Sequence, residues 1–254
     1  MDQIAAGASL KPLGLLEVIA SLAHAPTLRE LTAATGEPKP TLHRWLGTLR
    51  AADLVQRTPD GRRYELAAGS SRLAFAILAN GPGGAIRRAV LEQTVGRLGE
   101  SCNFTVFTGT EVTYLDRIES HWPLRVTFQP GSKVPAHCSA SGKLFLALMP
   151  PARRDLILDN LALERFTDNT VPDRAALESE LAAIRRQRYA LDREEYMLGL
   201  VCLAVPVMQG QGRSRRCVAA LAVQAPVMRL SCEGALEKMP VLLDAAESLS
   251  ATLE

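Results

Sequence analysis

Hydrophobic residues recur with the period of an α-helix through the first part of the chain. The pattern predicts a first helix over residues 10–24. Thr27 and Glu30 have the spacing of a capping box that begins a second helix, and Gly36 ends it. A third helix begins near Pro38 and carries apolar residues at the i, i+3, i+4 and i+7 spacing of one buried stripe. These residues are Leu42, Trp45, Leu46 and Leu49.

A β-hairpin is predicted directly after the three helices. Residues 54–57 and 62–66 read as two strands, and the turn-forming sequence TPDG at 58–61 separates them. Three short helices followed by a hairpin are the order of elements in a winged helix-turn-helix domain. The sequence therefore predicts such a domain over residues 1–68.

Glycine and proline then interrupt the pattern. A helix is predicted over 69–80, and the sequence GPGG at 81–84 breaks it, so we place a linker helix and linker over 69–84. The rest of the chain mixes strands with helices, which predicts an α+β domain built on a sheet over 85–254. The predicted strands are 102–108, 111–119, 124–128, 200–208 and 217–224, and the predicted helices are 85–98, 139–149, 151–160, 173–187 and 233–252.

Composition and charge narrow the class of protein. A chain of 254 residues with 47% hydrophobic and 22% charged residues is globular and long enough for two domains. The net charge of +2 gives no bulk basic excess. Residues 1–78 carry 9 basic and 7 acidic groups, and the remaining residues carry 20 of each, so the whole excess lies in the first third.

Cysteine usage and hydropathy bear on the compartment. The five cysteines are an odd number without a CxxC pair, which disfavours a disulfide framework or a closed structural zinc site. No apolar run is long enough to span a bilayer. Residues 11–25 imitate a secretory signal, but Glu17 interrupts the apolar stretch and the spacing fits an amphipathic helix better. We expect a cytoplasmic protein without a membrane partner.

The third helix has the chemistry of a DNA-recognition helix. Its face opposite the apolar stripe has no acidic residue, and it offers short or bidentate hydrogen-bonding groups near the N-terminus. Arginines on the hairpin would contact the neighbouring phosphates or the minor groove. We therefore expect double-stranded operator DNA as a partner. The predicted contacts are Lys39, Pro40, Thr41, His43 and Arg44 on the helix and Arg57, Arg62 and Arg63 on the hairpin.

Residues 137–143 read as a turn that leads into a helix. Ser139 or Ser141 would be its cap, and uncapped amides there attract an anion. The alternative is a helix cap that binds no ligand.

Segments of both predicted domains resemble the IclR-type family of bacterial transcriptional regulators. The resemblance covers nearly the whole chain, and the segments of the second domain follow in their usual order. The segments in the first domain are TLREL at 27–31, PKPTLHRWL at 38–46 and RYEL at 63–66. Those in the second are VPAHCSASGK at 134–143, DREEY at 192–196 and GLVCLAVPV at 199–207.

The resemblance implies a winged helix-turn-helix domain followed by a GAF-like antiparallel-sheet domain that binds a small organic acid. Ala222 and Gln224 stand where relatives often carry hydroxyls, which implies a pocket that is larger on one side and differently polar. Pro40 stands where the family commonly has a small hydroxyl or alanine, and it removes one amide donor near the helix start. The effector residues implied by matched positions are Ala140, Ser141, Asp192, Leu200, Cys202, Ala222 and Gln224.

The function expected from these features is ligand-responsive regulation of a catabolic operon by a homodimer or tetramer, with no cofactor, no metal and no catalytic residue. The dimer contact is expected on the helix 69–80, through Leu73, Ala76 and Ile77. Two alternatives stay open. One is a redox or metal sensor on the same DNA-binding scaffold that uses Cys138 and Cys202 with His137. The other is an esterase that uses Ser139 or Ser141 with His137 as its base.

Overall fold

The protein divides into two compact units, residues 1–77 and 78–254, in the computed structural model. This division falls inside the segment 69–84 that the sequence assigns to the linker. Within the described residues, no helix is both long and apolar enough to cross a bilayer. The structure describes residues 10–22, 24–81, 83–123, 126–212 and 215–251.

The first unit has the predicted order of three helices and a hairpin. The two strands pair antiparallel, with Val55 opposite Leu66 and Arg57 opposite Tyr64. A further helix follows and crosses the division between the units. The elements are α1 (Lys11–Ser21), α2 (Leu28–Thr35), α3 (Lys39–Ala51), β1 (Val55–Arg57), β2 (Tyr64–Leu66) and α4 (Ala68–Asn80).

The capping box of α2 forms as the sequence predicts. The Thr27 N–H donates to the Glu30 carboxylate at 2.6 Å, and the Glu30 N–H donates to the Thr27 hydroxyl at 3.3 Å. At the other end Gly36 has a φ of 71°, a left-handed conformation in which its N–H bonds Thr32 O. The helix α1 ends at Ser21, earlier than predicted.

The apolar stripe of α3 forms the core of the first unit, as its spacing predicts. Leucines of α1 and α2 and two residues of the hairpin pack against it. Because this face of α3 is buried, the opposite face points to solvent. The buried cluster is Leu15, Ile19, Leu31, Leu42, Trp45, Leu46, Leu49, Val55 and Tyr64.

The second unit is an α+β domain with a six-stranded sheet. Its helices are α5 (Gly83–Leu98), α6 (Ala140–Leu148), α7 (Pro151–Leu158), α8 (Arg174–Gln187), α9 (Cys232–Glu237) and α10 (Met239–Ala251). Its strands are β3 (Ser101–Thr108), β4 (Glu111–Ile118), β5 (Lys133–Pro135), β6 (Ala190–Arg193), β7 (Leu200–Gln209) and β8 (Arg216–Pro226). The strand order is β5-β4-β3-β8-β7-β6, and every neighbouring pair is antiparallel.

Helices cover both faces of this sheet. The face that carries Cys202, Ala204 and Ala222 packs against α6 and α8 in one apolar cluster. On the other face, Arg87 of α5 lies over the ring of Phe104, whose side chain points away from that cluster because successive residues of a strand alternate. The helices α5 and α10 contact each other and the sheet.

Four features differ from the sequence-based expectation. The predicted strand 124–128 is wrong, because residues 126–128 form no strand; residues 124 and 125 lie outside the described part of the chain. The predicted helix 233–252 is divided into α9 and α10, because Pro240 cannot donate the amide hydrogen bond that would continue α9. The strands β5 and β6 were not predicted, since three or four residues are too few to show a period of two.

Candidate functional site

The outward face of α3 presents the residues predicted to contact DNA. Lys39, Pro40, His43 and Arg44 are exposed, and Thr41 is half-buried. The helix begins with Pro40 in its first turn and has no side-chain cap. Its first turn therefore keeps the amide donors of Lys39 and Thr41 and lacks the one between them. This arrangement combines two backbone donors with a cationic side at a helix N-terminus.

Two arginines of the hairpin point to solvent. The Arg57 guanidinium lies 5.5 Å from the centre of the Tyr64 ring and donates to the Tyr64 hydroxyl at 3.2 Å. Arg62 is exposed, and its backbone N–H donates to Asp60 Oδ1 at 3.0 Å, which holds the turn. Both cations can approach a polyanion without breaking the hairpin.

Arg63 has a structural partner instead. Its Nη1 donates to Ala25 O at 2.9 Å and lies 3.6 Å from the Glu30 carboxylate. The side chain therefore ties the hairpin to the segment that precedes α2. A DNA contact by Arg63 would compete with this hydrogen bond.

Arg50 is a further cation that the sequence analysis missed. It lies exposed in the last turn of α3 and lines an open groove with Gly47, Gln56 and Arg57. The sequence-based prediction places DNA contacts only in the N-terminal half of the helix. The signal that could have found Arg50 is the absence of acidic residues along the whole helix.

The structure brings five of the seven predicted effector residues together on one face of the second sheet, and the other two, Ala140 and Ser141, lie at the start of α6. Asp192 is the partner of Cys202, and Cys202 is the partner of Gln224, so these three lie side by side across β6, β7 and β8. Leu200 and Ala222 lie two residues along the same strands and share this face. Ala140 of α6 packs in the same cluster as Cys202 and Ala222, and all seven residues, including Ser141, are buried.

The start of α6 is capped by Ser139. Its hydroxyl accepts from the Gly142 N–H at 3.3 Å and donates to Pro135 O at 2.7 Å. The backbone of Ala136 packs against the same turn, so closely that a Cβ on Gly142 would lie 2.3 Å from its carbonyl oxygen. Residues of the chain itself thus cover this side of the helix start.

A buried charge cluster lies next to the pocket. Lys143 has a side chain with 0% exposure and donates to Glu180 at 2.7 Å and to both Glu195 oxygens at 2.5 and 2.6 Å. The Glu195 N–H in turn donates to Asp192 Oδ1 at 2.8 Å. Burial raises the pKa of Asp192 to about 7, so this pocket carboxyl changes its charge near neutral pH.

Arg117 is the pocket residue that sequence reasoning missed. It lies on β4 with a side chain that is only 2% exposed. Its Nη1 donates to Asn103 Oδ1 and, at 2.9 Å, to Gln224 Oε1, while Nη2 donates to Val126 O at 2.5 Å. The signal was a charged residue in the interior of a predicted strand, which is rare without a partner.

The thiols have the properties of core residues. All five cysteines are free, and Cys102, Cys138 and Cys202 are buried. Burial raises the pKa of Cys102 to about 12 and raises those of Cys138 and Cys202 further, so the reactive thiolate is scarce at neutral pH. The described residues include no cluster of three His, Cys, Asp or Glu side chains arranged for a metal. Neither observation favours the sensor alternative.

Two family models match the chain. Residues 11–59 match the IclR helix-turn-helix domain, and residues 84–251 match the C-terminal domain described as bacterial transcriptional regulator IclR C-terminal. The chain belongs to the IclR family. This IclR-family protein is a DNA-binding transcriptional regulator with an effector-binding C-terminal domain, as the resemblance implied.

Individual relatives are similar along most of their length. The probable transcriptional regulator SauR of Cupriavidus necator is 39% identical over 245 residues, with 96% of each chain covered. The transcriptional repressor IclR of Escherichia coli is 27% identical, with 94% of this chain and 86% of that one covered.

Solved structures share the fold of this IclR-family chain. The IclR of Thermotoga maritima superposes with a TM-score of 0.64 at 25% identity, covering 96% of this chain and 97% of that one. A double mutant of the PobR inducer-binding domain of Acinetobacter was solved with 3-hydroxybenzoic acid; its superposition covers 65% of this chain and 96% of that one, with a TM-score of 0.59 at 25% identity.

Proposed function

We propose that the protein regulates a catabolic operon in the cytoplasm and that a small organic acid changes its affinity for the operator. The observation that carries this proposal is that five of the seven predicted residues share one buried face of the sheet, beside the guanidinium of Arg117, while Ala140 and Ser141 are buried at the start of α6. A buried cation with neutral hydrogen-bonding neighbours is suited to an anionic ligand. The inducer-binding domain of PobR, a fold neighbour, was solved with an organic acid.

The DNA contacts proposed for the first domain are divided by role. Thr41, His43 and Arg44 of α3 contact base edges. Lys39, Pro40 and the arginines of the hairpin lie along the sugar-phosphate backbone of the DNA. Exposure of the α3 face and of Arg57 and Arg62 supports these roles. Arg63 contributes by holding the hairpin in place and adds charge near the backbone.

The effector contacts proposed for the second domain are the seven matched residues. Asp192 forms a hydrogen bond with a hydroxyl of the ligand: the ionised carboxylate accepts it, and the protonated carboxyl can donate it. Both charge states occur near neutral pH because burial raises the pKa of Asp192 to about 7. Leu200, Ala140 and Ala222 supply apolar wall, and Ser141, Cys202 and Gln224 supply small or polar contacts. The chain acts through binding alone, without catalysis or a cofactor.

The domain bounds that we propose are 1–68 for DNA binding, 69–84 for the linker and 85–254 for effector binding. We also propose a homodimer or tetramer, because one recognition helix covers too little DNA to select a genomic site. Exposure of Leu73 and Ile77 on α4, at 42% and 60%, supports a contact between copies there.

The test begins with the full chain and fragments of its genome. Fragments retained by the protein define an operator, and fluorescence anisotropy then measures its affinity against a random duplex. A panel of carboxylic acids and the matching amides is added to the complex. We expect at least one acid to shift the operator affinity by roughly 5- to 150-fold while its amide does not.

Arg97→Ala is the matched control for these titrations, since this arginine of α5 is about half exposed and pairs with Asp244 of α10, on the opposite face of the sheet from the proposed contacts. It should bind the operator and the acid as the wild type does. Equal affinity for operator and random duplex would contradict the proposal, and so would equal effects of acids and amides.

A further inference from the structure

The side chain of Arg117 is a buried cation whose hydrogen-bonded partners are all neutral. They are the amide oxygens of Asn103 and Gln224 and the carbonyl of Val126. The nearest carboxylate is Glu119, whose Oε1 lies 3.6 Å from Nε, too far for a hydrogen bond. A guanidinium removed from water normally has a closely bonded anion, because the neutral amides do not offset its charge.

Two donors of this cluster have no hydrogen-bond partner among the described residues. They are Nε of Arg117 and Nδ2 of Asn103, and both atoms are buried. Asn103 is 1% exposed. Leaving a buried donor unpaired is costly, so two such donors on adjacent strands indicate a missing acceptor.

A concavity adjoins the cluster. It is narrow and leaves no room for a water molecule as the side chains stand, so a ligand enters only after part of its wall has moved. Gln224 and Leu200, two of the proposed effector contacts, belong to its wall, which combines apolar side chains with hydroxyl, amide and guanidinium groups. The lining residues are Ser101, Arg117, Val126, Leu200, Gln224, Ala225, Pro226 and Arg229.

We propose that Arg117 binds the carboxylate of the effector through Nε, with Asn103 Nδ2 as a second donor in the same cluster. The ligand class is a small carboxylate, because the concavity is narrow and the two unpaired donors of Arg117 and Asn103 require an acceptor. This inference rests on the proposed function, in that the effector is an organic acid. It places the anion at Arg117 and not at the start of α6, where Ser139 and Ala136 cover the turn.

Glu119 gives the proposal a second consequence. Its carboxylate is partly exposed and lies beside the Nε that the ligand would use, so it competes with the ligand for the same cation. Removing the charge of Glu119 therefore strengthens binding of an acid. A purely structural ion pair between Arg117 and Glu119 would give no such gain.

Calorimetry on the full chain tests this with acetate, propionate and 3-hydroxybenzoate, each compared with its neutral amide. We expect wild type to prefer an acid over its amide by roughly 10- to 100-fold, the usual worth of a charged hydrogen bond. Arg117→Met should abolish that preference, and Glu119→Gln should raise the acid affinity several-fold without changing amide binding. Arg174→Met, an exposed arginine of the same domain, is the control and should match wild type.

The operator affinity of each variant is measured in parallel. If Arg117→Met fails to fold, the opposite shift in Glu119→Gln still decides. Three results would each overturn the role of Arg117 and leave the DNA-binding function unaffected. They are equal binding of acid and amide, no binding of any acid by a wild type that still binds its operator, and an unchanged ratio of acid to amide affinity in Glu119→Gln. Acid binding through Arg117 without a change in operator affinity would support the anchor and contradict the proposed control of DNA binding.

Discussion

The arginines of this chain carry the same charge but have different roles, because their surroundings in the fold differ. Arg44 and Arg62 are exposed on the first domain, whereas Arg63 is bound to a backbone carbonyl and Arg117 is enclosed in the second sheet. Charge alone therefore predicts little at the scale of the residue. The neighbours decide whether a guanidinium meets DNA, a ligand or the chain itself.

Replacement of Arg44 and of Arg62 should have different effects on DNA binding. Arg44→Ala should cost about 1 to 3 kcal/mol on the operator and little on random DNA, because a base-reading side chain is lost. Arg62→Ala should weaken both complexes and lower the salt slope by about one unit, because a phosphate contact is lost. Anisotropy titrations at several salt concentrations measure both effects. Equal losses on the two duplexes for Arg44→Ala would contradict its base-reading role.

Asp192 should make the stability of the protein depend on pH. Burial raises the pKa of Asp192 in the folded protein to about 7 from 3.8. Between these two values the folded state therefore keeps a proton that the unfolded state has released. The stabilisation by that proton is complete below the unfolded pKa and is lost as the pH rises through the folded pKa.

The wild type should therefore lose about 2 kcal/mol of its free energy of unfolding between about pH 5.5 and pH 8. Asp192→Asn should remove this loss, because the variant has no carboxyl to ionise. Urea unfolding of the full chain at both pH values measures it. Asp168→Asn, at an exposed carboxylate, is the control and should keep the wild-type slope. An unchanged slope in Asp192→Asn would show that this carboxyl ionises normally.

Elements with a local cause were predictable, and elements stabilised by distant contacts were not. The capping box of α2 and the stripe of α3 depend on neighbours within one or two turns, and the sequence shows both. The strand β6 forms because it pairs with β7, and its four residues alone do not predict that pairing. The same holds for the site: family matches indicated the sheet residues, whereas the bond between Arg117 and Gln224 joins residues far apart in the chain.

Gly142 should be the least replaceable residue of α6. A Cβ there would lie 2.3 Å from Ala136 O and 2.4 Å from Ala136 Cα, and backbone atoms cannot move aside as a flexible side chain can. Gly142→Ala should therefore lower the free energy of unfolding by about 3 kcal/mol or more. Gly96→Ala, in α5 with nothing within 4 Å, should instead raise it by up to about 1 kcal/mol. Chemical denaturation of both variants gives the comparison.

Assembly is the property of the whole molecule that α4 points to. Leu73 and Ile77 are exposed large hydrophobic residues one turn apart on this helix. Such residues on one helix face favour a contact with a second copy.

Ile77→Glu should convert the protein to monomers and weaken binding to a two-half-site operator while leaving a single half-site almost unaffected. Light scattering at micromolar concentration gives the mass, and anisotropy gives the affinity. Leu156→Glu, at an equally exposed leucine of α7, is the control and should keep the wild-type mass. A wild type that is monomeric on its operator would contradict the assembly itself.

Because Lys143 is fully buried, its chemical reactivity can report transient opening of the second domain. All five lysines lie in the described part of the chain, and Lys143 alone has a side chain with no exposed surface. An amine-acylating reagent should label the other four on the native protein and reach Lys143 only in molecules whose second domain has transiently opened. Mass spectrometry of the Lys143 peptide over time would thus record the opening equilibrium, and a bound effector should slow that labelling in proportion to its affinity.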